Sequence, residues 1–405
     1  MRSSRLDHFI ILLCQFFSTF GLMVLIPIMP LYMEKLTAHM SAPTIWAGLA
    51  LAAPAIGSLF TAPIVGHLSD TFGHKKALLL SLAGFCISIL LMASAQHLYL
   101  FIFARILLGF CGLSVILNAY VSYLSNEQQR GAAFGQLQSS VALACLCGPV
   151  LGGIFMDQWR VEVLLNATAF VVMTLIVIAS FVLTNPVKAE VTKTKEKSKL
   201  PAFFDRTIFS WLSAGILVQA GGFGLVSCFV LYISEISQST HSSLSAASLT
   251  GTIHALSWGA AFIAATYWGK RNDDKGDSFN NFIYASLICG ITIFALIWVS
   301  NIWLVLVLRL IQGFCFAALI PSILHTISLK AGAQSQGKVI GISNSAFVLG
   351  QLIGPITITL TYSFFNITAA LICTSLFFIG AGLVVILNRF LTVSYTHLTL
   401  PTKLL

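Results

Sequence analysis

Long apolar segments, separated by short polar turns, recur along the whole chain and constrain its fold more than any other feature. A helix needs about 20 mostly apolar residues to cross the hydrocarbon core of a bilayer. Backbone polar groups in lipid must be satisfied within their own segment, so the pattern predicts an all-α polytopic membrane protein with twelve transmembrane helices. We place the spans at residues 8–33, 45–65, 77–95, 98–122, 132–155, 162–184, 207–232, 245–267, 279–299, 302–328, 339–362 and 367–388.

The composition excludes a water-soluble protein of this size. Of the 405 residues, 57% are hydrophobic and only 9% are charged, whereas about 25% of the residues in a soluble domain carry charge. The mean hydropathy is +0.92. A packed soluble domain could not hide this much apolar surface, so we expect the lipid bilayer to surround the protein.

Lysine and arginine lie almost entirely on one side of the predicted bundle. If both termini are cytoplasmic, 18 of the 22 basic residues fall in cytoplasmic segments, Lys35 and Arg160 lie outside, and Arg105 and Arg309 lie within spans. Because cytoplasmic loops are enriched in basic residues, this asymmetry predicts a multi-pass protein of the cell (inner or plasma) membrane with both termini cytoplasmic. The net charge of +9 arises from these loops, and we expect no nucleic-acid partner.

One long hydrophilic stretch divides the spans into two sets of six. We therefore predict an N-terminal six-helix half at 1–184, a cytoplasmic linker at 185–206 and a C-terminal six-helix half at 207–390. Residues 391–405 break with the preceding pattern, and we interpret them as a non-native tail.

The two halves repeat each other at a nearly constant offset. Three motifs of the first half recur 203 to 206 residues later: Gly66–Gly73 at 269–276, Arg105–Cys111 at Arg309–Cys315, and Gly148-Pro149 at Gly354-Pro355. Two parallel repeats that meet around a cavity near the midplane of the membrane are typical of secondary transporters.

The most distinctive motif is Gly66-His-Leu-Ser-Asp70-Thr-Phe-Gly73-His-Lys75-Lys76, in the predicted loop between spans 2 and 3. Gly66 permits the close approach of a helix, Asp70 suits the free N–H groups of a helix N-terminus, and Gly73 permits a tight turn. Lys75 and Lys76 are expected in the headgroup layer. The spacing favours a conformational latch over a simple polar turn.

This motif, together with the twelve spans and the central linker, resembles the loop 2–3 signature of the major facilitator superfamily. The resemblance covers about residues 8–390 and implies the major facilitator fold. In that family the aspartate of the motif holds the two halves in an outward-facing arrangement, a role that the resemblance implies for Asp70. The second half keeps the spacing at Asp273 but lacks the lysine pair after Gly276.

Span 5 carries a stripe of small residues that ends in Gly148-Pro149-x2-Gly152-Gly153. Ala144, Gly148 and Gly152 share one helix face, which predicts close helix packing. Pro149 predicts a bend in the helix. The motif resembles the antiporter signature of twelve-span drug:proton exporters. The resemblance implies export driven by the proton gradient, with protons as partners and no bound cofactor; generic small-residue packing remains the alternative.

Polar and aromatic residues inside the spans are candidates for a substrate cavity and for proton coupling. Span 1 has no carboxylate at the depth where proton-coupled exporters often carry one, so we assign coupling to His254 and Arg105 and expect them near each other. Alternatively, Arg105 and Arg309 only bond carbonyl groups of neighbouring helices. The residues that we assign to the substrate cavity are Gln15, Asn118, Gln219, Phe223, Trp258, Gln312 and Asn344.

The sequence thus predicts a secondary transporter, without catalytic residues or a metal site, that exports small amphipathic molecules or drugs by alternating access. Three alternatives remain open: an exporter of a specific metabolite such as a siderophore or sugar, an importer of the same fold, and a non-transporting membrane sensor or lipid translocase. Because one chain already holds both halves, we expect a monomer.

Overall fold

The protein is helical almost throughout the part that the structure describes. This computed structural model describes residues 2–37, 43–124, 130–183, 206–240, 245–275, 277–331 and 336–398. The first half contains α1 (Arg2–Met23), α2 (Met29–Leu36), α3 (Pro43–Phe72), α4 (His74–Ser94), α5 (Leu98–Phe110), α6 (Leu113–Leu124), α7 (Arg130–Gln158) and α8 (Val161–Val182). The second contains α9 (Arg206–Thr240), α10 (Ala246–Lys275), α11 (Ser278–Ala295), α12 (Ile302–Ala331), α13 (Gln336–Phe364) and α14 (Ile367–Leu398).

Two of the predicted spans are each broken into two helices. Span 1 breaks between α1 and α2, where Pro27 and Pro30 lack the N–H that a continuous helix needs. Span 4 breaks between α5 and α6 at Gly112, whose φ is 55°. Taking each broken pair as one span gives twelve transmembrane helices, in agreement with the prediction.

Length and composition alone identify eleven of the described helical stretches as able to cross a membrane. The exception is α10, which is less apolar because it carries several serines and threonines together with His254. This helix packs between α7 and α12 within the bundle. Its polar side chains contribute to the cavity described below.

Each half has its own buried apolar core. Phe85, Phe101 and Tyr120 are fully buried in the first, and Phe282 and Phe378 in the second. The two-half fold class is thus confirmed. The domain boundaries stay a prediction, because residues 184–205 lie outside the described residues.

The two repeats of the sequence form equivalent close contacts between helices. In the first half, a Cβ on Gly109 of α5 would collide with the carbonyl oxygen of Pro54 in α3. In the second half, a Cβ on Gly313 of α12 would collide with the carbonyl oxygen of Ser257 in α10. These contacts are related by the repeat offset, so both halves use the same close helix approach.

The motif predicted as a loop between spans 2 and 3 is mostly helical. Gly66 and Asp70 belong to α3, which continues to Phe72, and the break occurs at Gly73. Gly73 has a backbone φ of 90°, which residues other than glycine rarely adopt, so the predicted tight turn is confirmed. The prediction of a loop was wrong because the polar residues of this motif are compatible with a helix, which ends only where Gly73 adopts a positive φ.

The latch itself stays a prediction. The side chains of Asp70 and Asp273 lie outside the described part of the structure, and so does the whole of Gly276. Lys75 is half-buried and Lys76 is exposed at the start of α4. At the other end of the chain, α14 continues to Leu398, eight residues into the segment interpreted as a tail.

Candidate functional site

A cavity of about 590 Å³ lies between the two halves. Helices α1 and α7 line it from the first half, and α9, α10, α12 and α13 line it from the second. Its volume falls in the range of small-molecule sites in proteins, roughly 300–1,000 Å³. The cavity is therefore large enough for a drug-sized molecule.

The second half supplies a polar wall. Gln219 of α9, His254 and Ser257 of α10, and Arg309 and Gln312 of α12 all line the cavity. Arg309 and His254 are almost fully buried in the protein. Polar groups in such a site fix the orientation of a ligand and provide specificity.

The first half supplies a wall that is mainly apolar. Met23, Val141, Ala142 and Cys145 contribute to it, and Gln138 is its polar exception. The cavity is thus amphipathic.

Arg309 organises the polar wall. Its Nη1 donates a hydrogen bond to Oε1 of Gln312 at 2.5 Å, and its Nη2 lies 3.1 Å from Nδ1 of His254. Its guanidinium carbon lies 4.8 Å from the ring centroid of Phe229, within the range of a cation–π contact. Because the arginine donates, Nδ1 of His254 accepts and the proton of the neutral imidazole lies on Nε2.

The repeat-related arginine of the first half has different surroundings. Arg105 is fully buried, does not line the cavity, and donates from Nε to the carbonyl oxygen of Ala50 at 3.0 Å. Leu51 and Leu108 stand at the positions that correspond to His254 and Gln312. For Arg105 the structure therefore favours the alternative of a carbonyl-bonded arginine.

The structure corrects the expected pairing of Arg105 with His254. The arginine that contacts His254 is Arg309, which we had not assigned to the site. The recurrence of the Arg105 motif at Arg309 is the sequence feature that indicates a role for Arg309. Contacts with other helices determine which of these two arginines lines a cavity.

Four of the seven predicted cavity residues line the cavity: Gln219, Phe223, Trp258 and Gln312. His254 lines it as well. All five belong to the second half, although we predicted contributions from both halves. The residues that the first half contributes to the lining are mainly apolar.

The other three predicted residues, Gln15, Asn118 and Asn344, do not line the cavity. Gln15 is buried and donates from Nε2 to Oγ1 of Thr19 at 2.9 Å, and Asn118 donates to the carbonyl oxygen of Ser114 at 2.7 Å. Both find a partner one turn away on their own helix. Asn344 is exposed.

The span 5 motif joins three helices. A Cβ on Gly148 would collide with Cβ of Met23, the last residue of α1, and a Cβ on Gly152 would collide with the carbonyl oxygen of Val24, which follows it. A Cβ on Gly153 would lie 2.6 Å from the carbonyl oxygen of Ala247, in α10 of the other half. The predicted close packing of this stripe is confirmed, and Pro149 lies within α7.

The same region forms two seams between the halves. The carbonyl oxygen of Pro149 would meet a Cβ on Gly251, and the carbonyl oxygen of Pro355 would lie 2.7 Å from a Cβ on Gly48. Gly48 and Gly251 are 203 residues apart, and the two prolines are 206 apart. The α7–α10 and α3–α13 seams are therefore repeat-related.

Hydrogen bonds complete both seams at the distal face, which is the end of the bundle opposite the chain termini. Oδ2 of Asp157 accepts from the backbone N–H of Ser248 at 2.9 Å, and also from its hydroxyl. The hydroxyls of Thr44 and Ser363 lie 2.7 Å apart. A carboxylate is favourable at the N-terminus of a helix such as α10. These contacts join the halves on the distal side of the cavity.

The chain is similar to characterised transporters along most of its length. It is 28% identical over 362 residues to the staphyloferrin B transporter of Staphylococcus aureus (strain NCTC 8325 / PS 47), covering 87% of this chain and 85% of that protein. It is also 28% identical over 365 residues to the multidrug resistance protein MdtG of Citrobacter koseri, covering 86% of this chain and 88% of that one.

Solved structures show the same fold. A bacterial homologue of the human lysosomal transporter Spinster, in an inward-facing and occupied conformation, superposes with a TM-score of 0.76 at 10% identity, covering 96% of each chain. The family model of the Major Facilitator Superfamily matches residues 11–272 and 216–404. With its twelve spans, its repeated halves and its central cavity, the chain belongs to the major facilitator superfamily of membrane transporters.

Proposed function

We propose that the protein exports small amphipathic molecules across the cell membrane by alternating access, with proton entry as the energy source. The observation that carries this proposal is the cavity between the halves, with one polar and one apolar wall. Such a site suits a molecule with a polar group on a hydrophobic body. It acts as a monomer, with a small molecule and protons as its partners and without a cofactor or a catalysed reaction.

The seams support a cycle that begins with loading from the cytoplasm. With both termini cytoplasmic, as the basic residues predict, the distal face is the outer face. The seams then close the cavity to the outside, which is an inward-facing arrangement. Export requires these seams to open while the cytoplasmic ends of the halves close, where Asp70 acts as the latch.

A second candidate is the export of one specific metabolite, such as a siderophore. The buried hydrogen-bonding group of Arg309, Gln312 and His254 favours it, because several fixed polar groups discriminate strongly among ligands. The two relatives described above are named for a siderophore and for multiple drugs, so similarity supports both candidates.

Dye accumulation in whole cells tests export. We expect cells that express the protein to accumulate less of at least one amphipathic dye from a cationic, neutral and anionic panel, and a protonophore to abolish the difference. Higher accumulation on expression would contradict export. No change for any dye would contradict a broad amphipathic specificity and favour the single-metabolite candidate.

His254 is our candidate for proton coupling. It is the side chain among the described residues lining the cavity that ordinarily changes charge near neutral pH. We expect His254→Gln to lower export driven by a pH gradient by at least about tenfold while substrate binding remains, because the glutamine oxygen still accepts from Arg309 but the amide neither binds nor releases a proton near neutral pH. Proteoliposomes with an imposed pH gradient provide the measurement.

The control for this variant is His325→Gln. His325 is half-buried, bonds Ser278 through Nδ1 at 2.7 Å and does not line the cavity. We expect this variant to keep gradient-driven export. Unchanged gradient-driven export by His254→Gln would show that another group carries the proton.

A further inference from the structure

We propose that the cavity selects amphipathic molecules that carry a carboxylate, and that the guanidinium of Arg309 binds this group. The inference narrows the substrate class of the proposed function and depends on that function for its biological meaning. It arises from the charge and the hydrogen bonds of the polar wall.

The charge of the polar wall is uncompensated. Arg309 is the permanently charged side chain among the described residues that line the cavity, and those residues include no aspartate or glutamate. Its side-chain partners, Gln312 and His254, are neutral hydrogen-bond acceptors in this arrangement. Arg309 is only 3% exposed and has no counter-ion among the described residues, which is unfavourable for a cation, and a bound anion offsets that cost.

The guanidinium also keeps donors available for a ligand. Arginine has five N–H donors, and hydrogen bonds to Gln312 and His254 use one on each Nη. Nε is buried and has no hydrogen-bond partner among the described residues. A carboxylate matches this remaining need, because two of its oxygens accept from one edge of the guanidinium in a bidentate arrangement.

Neighbouring side chains hold the guanidinium in place. Phe229 packs against its face, and Gln312 and His254 fix it within its plane. The donor edge is therefore oriented before a ligand arrives, so that less conformational entropy is lost on binding. The aromatic side chains of Phe223 and Trp258 and the apolar wall of the first half remain for the hydrophobic body of the ligand.

Arg105 provides the matched comparison within the same chain. It is equally buried and also leaves one nitrogen, Nη1, without a hydrogen-bond partner among the residues that the structure describes, but it does not line the cavity. A buried arginine alone thus does not make a binding site here. The combination of a donor without a partner among the described residues, a cavity and an absence of carboxylates in its described lining singles out Arg309.

The test compares two probes that differ only in the carboxylate. Dansylglycine carries the acid and dansylglycinamide the uncharged amide, and equilibrium dialysis against the protein in lipid nanodiscs measures both affinities, with empty nanodiscs as the blank. We expect the wild-type protein to bind dansylglycine at least about tenfold more tightly, as charge-assisted hydrogen bonds allow. R309Q should reduce this preference to less than about twofold.

Two further variants separate binding from folding. R105Q should keep the tenfold preference, since Arg105 lies away from the cavity. R309K keeps the charge but loses the planar fork, so we expect it to retain a preference of about threefold. The R309K result remains informative if R309Q does not give a monodisperse protein.

If the wild-type protein and R309Q each bind the two probes with equal affinity, the carboxylate inference is overturned. The proposal of export through the cavity would still stand. Binding of neither probe would also overturn it. The dye accumulation assay reports on export independently, so a failure of the proposed function would be recognised separately.

Discussion

We expect Gly251→Ala to lower the initial rate of export by at least about tenfold, although it adds only one methyl group. The new Cβ would collide with the carbonyl oxygen of Pro149 and lie 3.0 Å from its carbonyl carbon. Both atoms belong to the backbone of α7, so α7 and α10 must move apart. Overpacking of this kind costs about 1–3 kcal/mol.

This overpacking energy destabilises one state of the transport cycle. The α7–α10 seam closes the distal face, so the substitution destabilises the state in which this face is closed. About 1.4 kcal/mol already changes a two-state equilibrium tenfold. The protein would then populate the state open at the distal face, and substrate loading from the other face would be lost.

Gly259→Ala is the control on the same helix. A Cβ at Gly259 would meet only Cδ1 of Leu146, at 3.5 Å, which is an ordinary van der Waals contact. Both variants gain the same helix propensity, so the difference between them reports the seam. Export from proteoliposomes measures the rate, and labelling of a cysteine introduced near Ser248 measures opening of the distal face. Wild-type export and labelling in Gly251→Ala would show that the seam does not form during transport.

Filling the cavity should abolish export as well. Ala142 of α7 lines the apolar wall, and Ala142→Trp would place an indole in the cavity. We expect a loss of at least about tenfold in export rate and in the affinity for amphipathic dyes, because the indole would project from the apolar wall into the cavity of about 590 Å³ and exclude the hydrophobic body of the ligand from that wall.

The matched control is Leu143→Trp, one position further along α7. Leu143 is 52% exposed on the outside of the bundle, where a tryptophan meets lipid rather than the cavity. We expect this variant to keep export within about twofold of the wild type. Dye binding and export, measured at equal amounts of membrane-inserted protein, distinguish the two. Equal export by both variants would place the transport route elsewhere.

The helices and their arrangement in two halves follow from the amino-acid pattern alone. Apolar segments of membrane-spanning length permit only helices in lipid, and the repeated motifs place equivalent helices in both halves. The small-residue stripe at Gly148 and Gly152 could also be predicted from the sequence, because residues four apart share one face of a helix. These properties are local, so they need no knowledge of the neighbouring helices.

The position of the polar site follows from the packing of the helices and not from the pattern along the chain. Arg105 and Arg309 occupy equivalent positions in nearly identical local sequences, yet only Arg309 meets a histidine from another helix and lines the cavity. Likewise, only packing shows that Gly251 faces Pro149 across the halves. Contacts between distant segments depend on how helices are rotated and docked, which the pattern along one helix does not specify.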